Sequence, residues 1–101
     1  SAEPSLPGEA VFDADLLEFP ITVRPRRDGD RFEPLGLNGS KKVKDMFIDL
    51  KIDPNERERM PILVDAQGRL LWIPGIRRSR HALVSAGTKR VVRFRFEAFS
   101  R

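Results

Sequence analysis

The residues of this chain best suited to chemistry are cations. The stretch PLGLNGSKKVKD, residues 34–45, sets Gly36, Gly39 and Ser40 ahead of Lys41, Lys42 and Lys44. Read locally, Ser40 is the N-cap of a helix whose first turn carries the three lysines. A helix N-terminus is the positive end of the macrodipole, so each cation there costs about 0.3–1 kcal/mol. A purely structural helix prefers Asp or Glu at those positions. Free N–H groups at a helix start bind phosphate, glycines let a backbone approach, and three ammonium groups attract it from a distance. The plain alternative is a solvated helix face. Lysine is a fair helix former, so position and not propensity carries the argument.

Two further clusters suit the same polyanion chemistry. In IPGIRRSR, residues 73–80, a Pro-Gly turn presents Arg77, Arg78 and Arg80 as forked donors for phosphate. In VRPRRDGDR, residues 23–31, Asp28 and Asp30 offset part of the charge. The candidate nucleic-acid-binding residues are Gly36, Gly39, Ser40, Lys41, Lys42, Lys44, Arg77 and Arg78. Trp72 and the phenylalanines fall in alternating strands or on a helix stripe. They are therefore assigned to a core and not to base-stacking platforms.

Other chemistries find little support. The chain has no cysteine, which excludes disulfides and cysteine-based metal sites. Its one histidine, His81, sits among arginines with no carboxylate near it in sequence and reads as a surface residue. Asp49 and Asp53 lie four apart, but Asp53 serves as a helix cap. No Walker-type phosphate loop or nucleophile pair occurs. The expectation is a chain with no catalytic residue, no metal and no cofactor of its own. At 101 residues it is one domain, and a net charge of +4 with a pI near 10.1 favours polyanion partners. Nothing reads as a signal peptide or a bilayer span, so the default location is cytoplasmic, with no membrane partner. Ser1 opens the chain in place of Met, and the sequence reads as a piece of something larger.

The elements that must position these cations are legible in outline. Residues 1–9 read as a flexible lead or cloning scar, and residues 10–101 as the domain. AVFDADLL (10–17) and ITVR (21–24) are strand candidates, the second with Ile21 and Val23 on one face. Asp28-Gly29 marks a turn. Val43, Met46, Phe47 and Leu50 form one apolar helical stripe. A second short helix has Asp53 as N-cap, Pro54 at its first position and Glu56 at the third, and Pro61 ends it. ILVD, AQG and RLLWI (62–73) read as strand, turn, strand. IRRSRHA (76–82) reads as irregular. Val92, Phe94, Phe96 and Ala98 alternate with Arg93, Arg95 and Glu97 as a half-buried strand. Strands flank two adjacent helices without alternating with them, which makes the fold class α+β.

Taken together, FDADLL, VRPRRDGDRFEPLGLNGSKKVKDMFID, KIDPNERERMPILVD and LLWIPGIRRS resemble the C-terminal domain of tRNA(Ile)-lysidine synthetases over about residues 12–96. The specific part is R-x-R-x-x-G-D-R-F-x-P-L-G followed closely by G-S-K-K-x-K-D. The resemblance implies a compact sheet-rich domain with two short helices, related to one in the phenylalanyl-tRNA synthetase β chain. It implies a parent ligase that uses ATP to activate the wobble cytidine of an isoleucine tRNA and then attaches lysine. That chemistry belongs to an N-terminal domain with an SGGxDS-type loop. The loop is absent here, and SAG at 85–87 is no substitute. The implied partners are tRNA, toward the acceptor stem, and the parent's other domains. Residues 36–44 with Arg77 and Arg78 match the family's motif positions. Arg24, Arg27 and Arg31 match too, as candidates for holding the fold. Leu37 and Asn38 stand where relatives often have Met and Lys. The competing reading is a structural or protein-interaction module with an incidental basic surface. What separates the two is whether the basic clusters meet on one face.

Overall fold

Runs rich in β-branched and aromatic side chains become strands. The computed structural model, which describes residues 8–97, orders its elements as β1 (Glu9–Asp13), β2 (Thr22–Arg24), β3 (Arg31–Phe32), β4 (Lys41–Lys42), α1 (Val43–Asp49), α2 (Pro54–Arg57), β5 (Ile62–Val64), β6 (Leu70–Ile73), β7 (Arg77–Arg78) and β8 (Val91–Arg95). The α+β reading with two short helices holds. The lead expected at 1–9 lies outside the described residues as far as residue 7, and β1 begins inside it, at Glu9.

The central hairpin β5–β6 belongs to an antiparallel sheet of order β2-β5-β6-β7. Every residue of β5 and β6 is buried, because the sheet is covered on both faces. One face packs Ile62, Val64, Leu70 and Ile73 against Phe32, Val43, Met46 and Phe47. The other sets Leu63, Leu71 and Trp72 against Ala10, Phe12, Leu17 and Ala82. A register shift opposite Leu63 and Val64 is a bulge, which lets the consecutive Leu71 and Trp72 serve the same core. Phe12, Phe32 and Phe47 are fully buried, each contributing about 1.5–3 kcal/mol. β1 and β8 form a separate two-stranded ribbon over the second core. There Val92 and Phe94 pack inward while Arg93 and Arg95 pair with Glu9.

Carboxylates at two turns fix the loops. Asp65 accepts hydrogen bonds from the Gln67 and Arg69 amides and from the Arg69 guanidinium. Asp30 takes both Nη groups of Arg24, at 2.8 and 3.0 Å, and the Arg27 amide at 2.8 Å. Burial pushes both carboxyl pKa values up, but the arginine and amide donors outweigh it, and both end below the usual aspartate value. A depressed folded-state pKa means stability that is fully present above the unfolded value of about 3.9 and is lost as pH falls through the folded one. Melting temperature should therefore hold steady from neutral pH to about pH 5 and drop below about pH 4. In melts taken across pH, Asp30→Asn and Asp65→Asn should each flatten that drop.

Two local readings are overturned. Ser40 does not cap a helix. Its hydroxyl instead accepts from Arg31 Nε at 2.8 Å, and Lys41–Lys42 form a strand against Arg31–Phe32. The helix begins at Val43, with Lys42 at the cap position and no side-chain cap bond. The ladder wins because it seats Phe32 and Val43 in the first core and is closed by the Val43 amide on the Asp30 carbonyl, at 3.0 Å. Leu50 leaves the apolar stripe, being the C-cap residue and 54% exposed. The second helix follows its start signals but ends at Arg57, before Pro61. Asp53 accepts from the Asn55 amide at 2.8 Å, and Pro54 opens the helix.

Candidate nucleic-acid interface

β4 carries adjacent lysines, and side chains alternate along a strand. The structure accordingly sends Lys41 and Lys42 to different places. Lys41 lines an apolar groove with Pro34, Leu37, Met46, Leu50, Ile76 and Arg77, and its Nζ lies 3.8 Å from Asp49. Lys42, with Lys44 from the first turn of α1, lines a second cavity of about 280 Å³. The same cavity is lined by the turn holding Arg26, Arg27, Asp28, Gly29 and Asp30. The lysines of the first cluster thus meet the arginines of the third, although Arg27 and Lys42 lie fifteen positions apart in sequence. Arg26 lies in the third basic cluster but not among the candidate binding residues, and the convergence of the two segments singles it out.

Within that cavity the charges are uneven. Asp30 is already matched by Arg24, with side chains only 11% and 13% exposed. Arg26 reaches Asp28 at 3.4 Å and comes no nearer than 3.9 Å to Glu58. Its Nε is buried without a hydrogen-bond partner among the described residues. Arg27, Lys42 and Lys44 form no ion pair within 4.0 Å among the described residues. Four cations therefore face two carboxylates, one of them neutralised from behind.

The remaining candidates divide. Gly36 and Gly39 adopt φ of 86° and 77°, where a side chain is strained, while an added Cβ would meet no protein atom within 4 Å. Their need for glycine is met by the loop's own path. Arg77 is exposed and donates to the Leu35 carbonyl at 3.0 Å. Arg78, one residue on, turns inward. The segment read as irregular is in part β7, paired to β6 at Trp72 and Ile73. The Arg78 guanidinium donates to the carbonyls of Val11, Ser79 and His81 and lies 4.1 Å from the centre of the Phe12 ring. Burial draws its pKa down. This side chain joins β1 to β7 and has little left for a ligand. Arg24 and Arg31 are likewise committed within the fold, to Asp30 and Ser40.

His81 does find a carboxylate, from far along the chain. Its Nε2 lies 3.0 Å from Glu33, which Arg80 also pairs at 2.6 Å. The Arg80 hydrogen bond is the main reason the Glu33 pKa falls below normal. The trio braces the bridge between Pro34 and Ser79. It ties two segments of the fold together.

A family model described as the TilS substrate C-terminal domain matches residues 21–96, a span that contains both cavities. The chain belongs to this family. It is 50% identical over 74 residues to the tRNA(Ile)-lysidine synthase of Bacillus subtilis (strain 168), an alignment covering 71% of this chain and 16% of that protein. It is 42% identical over 95 residues to the tRNA(Ile)-lysidine synthase of Symbiobacterium thermophilum, covering 92% of this chain and 20% of that one. The chain thus spans about a fifth or less of the length of these curated relatives. A crystal structure of a TILS C-terminal domain superposes with a TM-score of 0.78 at 34% identity, covering 97% of this chain and 78% of that one. An N-terminal fragment of the phenylalanyl-tRNA synthetase beta-subunit from Pyrococcus horikoshii shares the fold, with a TM-score of 0.68 at 23% identity over 84% of this chain and 26% of that one. The sheet-rich TilS C-terminal fold expected from the motifs is the one observed.

Proposed function

We propose that this chain is the tRNA-engaging part of a tRNA(Ile)-lysidine synthase. It holds the RNA through backbone phosphates, toward the acceptor stem, while ATP and lysine are handled by the rest of the parent enzyme in the cytoplasm. The observation that carries this reading is the meeting of Arg26 and Arg27 with Lys42 and Lys44 around one cavity. Phosphate contacts fix position without reading sequence, and duplex RNA is recognised mainly by its backbone and shape. Trp72, Phe12, Phe32 and Phe47 are buried, and the exposed aromatic rings among the described residues, Phe19 and Phe96, do not line this cavity, so base stacking adds little there. Affinity should accordingly be modest. Fluorescence anisotropy with labelled isoleucine tRNA should give a Kd of about 10⁻⁴ to 10⁻⁶ M at physiological salt. An absence of binding at low salt would refute the proposal.

The apolar groove favours a second, compatible role. Leu37 and Leu50 are 46% and 54% exposed beside Lys41 and Arg77. A surface of that kind suits docking against the parent's other domains.

A further inference from the structure

We infer that the cavity between residues 26–29 and residues 42–44 is a discrete seat for a single phosphate group, filled in the RNA-bound chain by one backbone phosphodiester. This rests on the RNA reading above and narrows it from a basic surface to one seat.

The first ground is the unfinished coordination of Arg26. Its side chain is only 17% exposed, its Nε–H is buried without an acceptor among the described residues, its Nη1 donates one long hydrogen bond of 3.4 Å to Asp28, and Glu58 stands at 3.9 Å. A buried donor left in this state is unfavourable, and since Nε is closed to solvent, a phosphate supplies its acceptor only as the guanidinium turns toward the cavity. Neither nearby aspartate supplies that acceptor. Both oxygens of Asp30 are committed to Arg24 and the Arg27 amide, and the Asp28 side chain stands fully in solvent.

The second ground is geometry. Two arginines from the turn and two lysines from β4 and α1 line the same cavity. A tetrahedral phosphate offers oxygens in several directions to such donors, whereas a carboxylate offers two in one plane. The walls are also held in register. The Asp30 carboxylate fixes the turn, and its backbone carbonyl accepts from the Val43 amide at 3.0 Å, between Lys42 and Lys44. The backbone of the seat is therefore organised before the ligand arrives.

The test is a titration of the 101-residue chain with inorganic phosphate, followed by NMR at arginine Nε–H groups and backbone amides. Saturable shifts are expected at Arg26 Nε–H and at residues 27–29 and 42–44. R26K keeps the charge but loses the forked donor, and should weaken phosphate binding about tenfold and tRNA binding severalfold. K44Q, at an exposed position, is the second variant and should weaken both with its circular dichroism unchanged. Linear shifts spread over all surface lysines and arginines would overturn the seat, even if tRNA still bound. Saturable phosphate binding in a chain that ignores tRNA would instead overturn the assignment to a phosphodiester and, with it, the RNA reading.

Discussion

Replacing Arg78 with Ala is expected to destabilise the fold by about 3 kcal/mol. At roughly 4–8 °C per kcal/mol for a domain of this size, melting should fall by about 12–24 °C. Three backbone carbonyls, at Val11, Ser79 and His81, would lose a charged donor, and the Phe12 ring would lose the cation stacked on it. Phe12 is itself fully buried in the second core, so the change also opens space there. Arg78→Lys keeps the aliphatic stem but sends one ammonium where a planar fork met three oxygens, so its loss should be intermediate. Chemical denaturation measures both. At a temperature where the variants remain folded, tRNA affinity should be unchanged. An Arg78→Ala protein of normal stability with impaired binding would show that the guanidinium serves the ligand after all.

Arg78 also shows where sequence reading reaches its limit. Arg77 and Arg78 are chemically identical, and only strand alternation separates them. The strand is two residues long, with no apolar pattern to announce it. One available signal is its position directly after a Pro-Gly turn that follows the apolar strand LLWI. The lysine stretch misleads for a related reason. Ser40 followed by Lys-Lys-Val-Lys is a sound local helix start, but the ladder from Arg31 to Lys42 closes across a loop whose length hides the pairing. Long-range pairing overrides local propensity. Where local chemistry decides the structure, the sequence is a sound guide. The Asp53-Pro54 cap, the Asp28-Gly29 turn and the alternation of Val92 with Arg93 all have physical causes within a few residues. The meeting of Arg26 with Lys44 has no local cause, and so only the fold reveals it.

Charge reversal at Lys42 and Lys44 should have the largest effect on binding. Both lysines are exposed and lie outside the cores. Lys44 sits in the first turn of α1, where an acidic residue is the more favourable by a few tenths to about 1 kcal/mol. New glutamates would also face Arg26 and Arg27, which line the same cavity. The double variant should therefore melt at the wild-type temperature or slightly above it. Its tRNA affinity should fall at least about tenfold at physiological salt, since attraction to two phosphates is replaced by repulsion and the neighbouring arginines are neutralised. Reversing Lys41 alone should matter less for RNA. That side chain belongs to the other groove and already lies near Asp49.

The most direct measurement is the salt dependence of tRNA affinity, taken on the wild-type chain and on K42E/K44E under the same conditions. For the wild type, the logarithm of the binding constant should fall linearly with the logarithm of salt concentration. For the variant the line should lie lower and be shallower by roughly 0.7–0.9 for each phosphate no longer neutralised, with no drop in melting temperature. Coincident lines for the two proteins, accompanied by a lower melting temperature in the variant, would mean that these lysines support the fold and not the RNA, and would contradict the account.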